Sequence, residues 1–309
     1  MPTLGGGCPP PKQPFYEMDI DMLKPKHFFL LPALLTLAAI ILFPLIFTVR
    51  VSFSSWDVYQ AGLDFIGGRN YARLFEDTRF WESLLRLSWM SFITVTLQYV
   101  LGFALALAVW KNMPGGRVFR VLFLVPMMTT PVVMSVIWRT VFHESLGPAN
   151  DLLSMVGIGP VPWLSSATGA FISVVIVEVW QWTPFMFLLL LAGLVSLPRE
   201  PYLAAAIDGA SPVRTFWQVT FPLMAPISIG AIIIRLIEAS KIMDTVYVMT
   251  SGGPGTATET PSYYIYIRGL RDFQVGYSAA LSLAYLVVMI ITLTIIAKTL
   301  MRFLVGKDD

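Results

Sequence analysis

Cysteine and charge are both scarce in this chain. Its 309 residues include one cysteine, two histidines and only 13% Asp, Glu, Lys and Arg together. A lone Cys8 excludes a disulfide within the chain, and with no histidine or second cysteine near it in a Gly/Pro-rich tail it does not read as a metal or catalytic centre. His27 reads as a membrane-edge residue beside Lys26, and His143 as a loop residue. No Gly-x-x-x-x-Gly-Lys-Ser/Thr run occurs, so the chain carries no phosphate-cradling loop of its own. No metal-ligand cluster and no nucleophile–base arrangement stands out, so no catalytic residue and no metal site is assigned. The net charge of +2 gives no reason to expect nucleic acid. Soluble globular proteins carry about 25% charged residues, so a soluble domain is excluded as well.

What fills the chain is apolar sequence, 56% of residues with a mean hydropathy of +0.71. It comes in runs of roughly 20 residues, the length that crosses the hydrocarbon core as a helix. The fold class is therefore an all-α membrane protein. Six spans are expected: Phe28 to Val49, Trp89 to Trp110, Val121 to Phe142, Gly169 to Ala192, Ala225 to Val246 and Ser278 to Leu300. This divides the chain into an N-terminal tail 1–27, a membrane domain 28–300 and a C-terminal tail 301–309. The first run is too long for a signal peptide and no small-residue cleavage site follows it, so it is expected to be retained. Pro44, Pro126, Pro131 and Pro184 fall inside spans, where neighbouring helices can satisfy the freed backbone groups. Trp110, Trp138 and Phe142 end spans as interfacial anchors.

Lys and Arg in the short loops set the expected orientation. Lys24, Lys26, Lys111, Arg117, Arg120, Arg302 and Lys307 agree on both termini in the cytoplasm, and the loop His143 to Thr168 has no Lys or Arg. Arg69, Arg73, Arg79 and Arg86 oppose that orientation, but they are mixed with acids in a segment, residues 50–88, that reads as an amphipathic surface helix. The expected location is the bacterial inner membrane, multi-pass, with residues 194–221 in the cytoplasm.

Leu197 to Pro226 is too polar to span and too well patterned to be a tether. Pro198 opens a helix near its first turn. Tyr202 to Ile207 is Ala-rich and helix-forming. Asp208-Gly209 breaks it, with Gly209 suited to positive φ. Ser211 caps a second short helix that has Pro212 at its first position, and Pro222 stands at the entry to span five. The residues alone leave two readings, a re-entry linker or a docking surface for a cytoplasmic partner.

Tyr202-x-Ala204-Ala205-x-x-Asp208-Gly209-Ala210, then Phe216, Phe221-Pro222 and Pro226, resembles the EAA loop of permease subunits in bacterial ABC importers. Tyr247 to Pro254, Ala257 to Thr260, Tyr264 to Tyr266 and Gly276 to Leu281 resemble the sugar-permease branch, of the MalF, LacF and UgpA type. The resemblance covers the chain from span one onward. It implies a type I importer permease (MetI-like) fold and no enzymatic activity in this chain. The implied partners are a second, homologous permease subunit, a dimer of ATP-hydrolysing subunits that use ATP and Mg, an extracytoplasmic solute-binding protein, and a sugar or polyol. Glu200, Leu203, Ala204, Ala205, Asp208, Gly209 and Ala210 become the implied ATPase-coupling residues. Relatives usually carry Glu where Leu203 stands; Glu200, about one turn earlier, is the available substitute.

Charge inside a span usually faces a cavity or a partner, because it costs about 2.5–3.5 kcal/mol at the bilayer centre. Span five carries Arg235, Glu238, Lys241 and Asp244, whose i,i+3 spacing allows Arg235–Glu238 and Lys241–Asp244 pairs. Span four carries Glu178 and Gln181 among Trp180, Trp182 and Phe185, next to Pro184. One reading has these charges neutralise each other and lock the bundle. The other has rings and hydrogen-bonding groups receive a sugar, whose C–H faces and hydroxyls suit them. By resemblance, Gln181, Trp182, Phe185, Arg235 and Ala239 match pocket-lining positions; Glu178 and Glu238 join them as intramembrane charges. Arg235 replaces a small polar residue of the family, which fits either an acidic sugar or an ion pair with Glu238 or Glu178. Gly252-Gly253-Pro254, in a loop expected to face outward, is the candidate contact for the binding protein; a loop packed on itself is the competing reading. The competing function is an ion-coupled secondary transporter, which would relay protons through the same charges but calls for inverted repeats.

Overall fold

The computed structural model describes residues 25–57, 63–111 and 115–304. Cys8, the tail to residue 24, the His27 side chain and the final residues 305–309 lie outside the described part. The chain divides within its first helix into two units, residues 1–47 and 48–309.

Helix α1 (Pro25–Ser52) has a long apolar middle, carries Arg50 in its last turn, and contains Pro32 and Pro44. Within the first unit Thr36 Oγ1 donates to the Pro32 carbonyl (2.9 Å), and Phe43 packs on Phe47.

The second unit holds α2 (Arg69–Glu76), α3 (Thr78–Trp110), α4 (Gly116–Leu122), α5 (Pro131–Val141), α6 (Pro148–Met155) and α7 (Ala167–Ser196). After these come α8 (Glu200–Ile207), α9 (Pro212–Thr215), α10 (Phe221–Ala239), α11 (Asp244–Met249), α12 (Pro261–Tyr266) and α13 (Val275–Leu304). Five helical runs among the described residues are long and apolar enough to cross a membrane: Phe29–Ser52, Thr78–Trp110, Ala167–Ser196, Pro212–Ala239 and Val275–Arg302.

The expected third span is present as a broken segment. α4 gives way to a 3-10 turn at Pro126–Met128, and Thr129 and Thr130 are extended before α5 restarts at Pro131. Neither proline can donate a helical hydrogen bond, and Pro131 drives Thr130 out of the α region. The expected fifth span is cut short as well. Its helix stops at Ala239, so Lys241 lies in a turn and Asp244 opens α11. The expected surface helix over residues 50–88 is only the eight residues of α2; from Thr78 onward the polar residues belong to the long helix α3. There Asp77 accepts from Phe80 N (3.2 Å) as the cap.

The core is built by α3, α7 and α10, with Phe103, Ala106, Val174, Phe187, Leu190 and Met224 among its buried members. Helices in a membrane gain no hydrophobic energy by leaving lipid, so close packing must hold them. Gly102 provides it: a Cβ there would stand 2.9 Å from the Phe187 backbone nitrogen and 3.0 Å from Met186 Cβ.

Candidate functional site

Three polar features sit on this frame. The first crosses its centre. Arg235 on α10 is 1% exposed, and Glu178 on α7 is buried too. Arg235 Nη2 donates to Glu178 Oε2 (3.0 Å), and Arg235 Nε donates to Gln98 Oε1 on α3 (2.8 Å). Gln98 Nε2 donates in turn to the Glu178 carbonyl (2.9 Å), and Thr245 Oγ1 on α11 donates to Glu178 Oε1 (2.8 Å). The guanidinium also lies 5.1 Å from the Trp182 ring centroid. One positive and one negative charge are thus sealed among four helices, with each carboxylate oxygen hydrogen-bonded.

The structure decides between the two partners open to Arg235 and corrects the expected Lys241–Asp244 pair. Arg235 pairs with Glu178 rather than Glu238, and Lys241 pairs with Glu238 (2.9 Å) rather than Asp244. A helix places residues i and i+3 together but says nothing of a charge on a neighbouring helix, and the buried partner wins because water competes least there. Ala239 is buried in the core, whereas Glu238 is partly exposed. Gln98 and Thr245 went unnoticed, although an amide in the middle of an apolar run is itself a signal.

Gln181 occupies the break in the third span. Its Nε2 donates to the Thr129 carbonyl (3.3 Å), one of the backbone groups freed by the unwinding. Its Oε1 is buried and has no hydrogen-bond partner. An unmatched buried acceptor costs about 1–3 kcal/mol, so this atom is poised for a donor. Trp182 and Phe185, 6.3 Å apart edge to face, are half-buried nearby on the same helix. None of these residues lines either of two apolar cavities. A cavity of about 710 Å³ lies against α3, α4 and α7, around Leu101, Phe123 and Trp180. One of about 500 Å³ runs along α3, α10 and α13, around Tyr99, Leu236 and Met289.

The second feature is the island. α8 ends at Ile207, Gly209 takes φ +66°, and Ser211 Oγ accepts from Arg214 N (3.3 Å) with Pro212 at the first turn of α9. Two details differ from the sequence reading. The first helix begins at Glu200, with Pro201 rather than Pro198 in its first turn. The second helix is not short: α9 passes through a π turn at Phe216–Thr220 into α10, one helical run of 28 residues, Pro212–Ala239. Pro222 lacks the N–H that would close the α-helical bond to Gln218, and the widened turn accommodates it, with Phe221 N bonding back to the Phe216 carbonyl. Tyr202 OH donates to Thr220 Oγ1 (3.1 Å) and its ring packs against Trp110, tying α8 to the foot of this run. Leu203, Ala204, Asp208 and Gly209 are exposed, Ala205 and Ala210 half-buried, and Ile207 is 86% exposed.

The third feature is a corner at the other end of α3. Arg79 grips the buried Glu259 with two bonds (Nε to Oε1 2.8 Å, Nη2 to Oε2 2.6 Å), and Arg86 Nη2 reaches Thr256 Oγ1 (3.1 Å). Asp77 accepts from the hydroxyls of Tyr264 (2.6 Å) and Tyr277. Burial opposes ionisation of Asp77, but the two tyrosine bonds, the Phe80 N–H and the Arg268 charge outweigh it and hold its carboxyl below the ordinary value. Burial and the same bond push Tyr264 up to about 12. Gly252 is buried and Gly253 and Pro254 half-buried, so these residues mainly pack inside the corner rather than offering an open surface. Among the described residues no cluster of His, Cys, Asp and Glu is placed to hold a metal ion.

The helical bundle, its broken third span and its polar centre define a membrane transport component. Residues 98–307 match the family described as "Binding-protein-dependent transport system inner membrane component". The chain is 36% identical to the trehalose/maltose transport system permease protein MalF of Thermococcus litoralis over 278 residues, 90% of this chain and 93% of that one. It is 34% identical to the sulfoquinovosyl glycerol transport system permease protein SmoG of Agrobacterium fabrum, with 90% of each covered. It is 32% identical to the sn-glycerol-3-phosphate transport system permease protein UgpA of Yersinia enterocolitica, with 87% and 91% covered. In fold it resembles a chain of a bacterial alginate ABC transporter solved with an alginate pentasaccharide-bound periplasmic protein (TM-score 0.77, 19% identity, 91% of this chain and 95% of that one). The chain belongs to the binding-protein-dependent transport family: it is a multi-pass inner-membrane permease component of an ABC importer. That membership leaves the ion-coupled carrier without support.

Proposed function

We propose that this chain is one half of the membrane pathway of an importer for a sugar or polyol, working by alternating access. The second half is a homologous permease subunit, a solute-binding protein delivers the substrate on the outer side, and a pair of separate ATPase subunits binds and hydrolyses ATP with Mg. Both termini and the island lie in the cytoplasm in this reading. The observation that carries it is the continuity of the run Pro212–Ala239. At 1.5 Å per residue this run is about 42 Å long. It joins the island's second arm, α9, directly to the helix that bears Arg235, and α8 acts on the foot of that run through the Tyr202–Thr220 bond, so a displacement at the island is delivered to the polar centre. The exposed Leu203, Ile207, Val213 and Trp217 give the island an apolar face, which suits docking into a protein groove more than contact with water. Leu203 contributes to that face by burial where relatives use a charge.

Gln181 supplies the pocket's acceptor in this reading. A sugar hydroxyl donates to its free Oε1, and Trp182 and Phe185 offer ring faces to the C–H surface. The buried Arg235–Glu178 pair holds the frame and is not displaced by substrate. The test is Asp208→Arg in the reconstituted complex. ATP-driven uptake and stimulated hydrolysis should both collapse while the two permease subunits remain associated; normal uptake would refute the coupling role.

A further inference from the structure

We infer that the cavity between α5, α11 and α12 receives the anionic group of a charged sugar, one bearing a carboxylate, sulfonate or phosphate. This rests on the importer reading and narrows its substrate class. The cavity has a volume of about 490 Å³ and is lined by Arg139, Tyr247, Ser251, Tyr263, Tyr266 and Arg271 together with Val248. That is the size of a small-molecule site. Tyr247, Val248, Ser251, Tyr263, Tyr266 and Arg271 all follow the Pro212–Ala239 run, at the opposite end from the island; with the island in the cytoplasm, as the importer reading has it, the cavity belongs to the outer side of the pathway.

Its charge is what distinguishes it. Arg79, Arg86 and Arg268, in the neighbouring corner, have carboxylate partners in Glu259, Glu82 and Asp272. Arg139 and Arg271 have no carboxylate within ion-pair distance among the described residues, yet both face this one cavity. Asp272 follows Arg271 in the chain but bonds Arg268 Nη1 instead (3.1 Å). Arg139 is steadied by a single bond, Nη1 to the Val248 carbonyl (3.0 Å), and its remaining N–H groups are available for a forked grip on an oxyanion. Three tyrosines, of which Tyr263 is almost fully buried, supply the aromatic part of the wall. Tyr247 stands edge-on to Tyr266 at 5.5 Å, and Tyr263 stacks with Tyr266 at 6.1 Å. Tyrosine rings take the C–H face of a pyranose and their hydroxyls exchange hydrogen bonds with its alcohols. The two larger cavities have mostly apolar linings and no arginine, and so have nothing to offer an anion.

The test is saturation-transfer NMR on the purified complex in nanodiscs without its binding protein, with D-glucuronate as probe and D-glucose as neutral control. Glucuronate should show the stronger transfer. Arg139→Gln/Arg271→Gln should weaken glucuronate binding at least about tenfold, consistent with losing charge-assisted bonds. Arg139→Lys, which keeps the charge, should retain most of the signal, and glucose should respond equally to all three proteins. Equal transfer to glucose and glucuronate, or an unchanged double variant, overturns the inference. So does a double variant that keeps glucuronate but loses stimulation by the sugar-loaded binding protein, because the cavity would then be a docking site. Co-purification of the ATPase, read on the same samples, separates this failure from failure of the importer reading.

Discussion

Glu178→Gln removes one charge from the centre of the bundle and leaves Arg235 buried without a counter-ion. Arg235 then keeps its bond to Gln98, but its carboxylate partner at 3.0 Å becomes a neutral amide, and Thr245 loses a charged acceptor at 2.8 Å. Breaking a buried pair on one side costs about 3–5 kcal/mol. Each kcal/mol lowers a melting temperature by about 2–4 °C in a domain of 150–250 residues. We therefore expect the midpoint of the purified protein, followed by intrinsic fluorescence during heating, to fall by roughly 6–20 °C. Glu178→Gln/Arg235→Gln restores neutrality and should recover most of that loss. Glu238→Gln is the control. It breaks only the partly exposed Lys241 pair, worth about 0–1 kcal/mol, and should leave the midpoint nearly unchanged. If Glu238→Gln melts early and Glu178→Gln does not, Arg235 pairs locally along its own helix and the cross-bundle lock is wrong.

Three further outcomes follow from the packing. Asp77 has a depressed folded-state pKa, so its contribution is fully present above the ordinary value of 3.8 and is lost as pH falls through the lower folded value; the acid side of the stability–pH profile should flatten in Asp77→Asn. Glu259→Gln loses the charged half of the Arg79 grip, and hydrogen exchange over residues 250–260 should speed up while exchange in α7 does not; equal protection in both proteins would count against the clamp. Gly102→Ala forces α3 away from α7, at a cost of about 1–3 kcal/mol, and should lower the midpoint by several degrees; a midpoint at or above that of the wild type would mean the contact relaxes freely.

Local chemistry was legible in the sequence and long-range pairing was not. The island could be read nearly residue by residue, because a positive-φ Gly209 and a Ser211 cap are decided by their immediate neighbours. Its continuity with α10 was hidden, since Pro222 looks like a boundary until the π turn is seen to absorb it. Pro126 and Pro131 were legible as prolines inside a span, but the break they cause was not, nor that Gln181 arrives from α7 to bond the Thr129 carbonyl it frees. Arg235 and Glu178 were both visible as intramembrane charges. Their partnership was one of two open to Arg235, and the choice of Glu178, 57 residues away, over Glu238 belongs to the packing of α7 on α10. The corner was undecided for the same reason: Gly252, Gly253 and Pro254 suit either a contact for a partner or a loop packed on itself, and the burial of Gly252 depends on partners far away in the chain.

The central claim is that the island passes the state of an ATPase to the polar centre from α8, through its bond to the foot of the Pro212–Ala239 run, and along that run. Ile207→Asp tests it most directly, because this side chain is almost fully exposed and its replacement does not disturb the core. The measurement is binding-protein-stimulated ATP hydrolysis together with substrate uptake in proteoliposomes holding the complete complex. The account predicts that both fall to background while the melting temperature stays within about 2 °C of the wild type, as expected for a surface substitution. Uptake and stimulated hydrolysis at wild-type rates would contradict it.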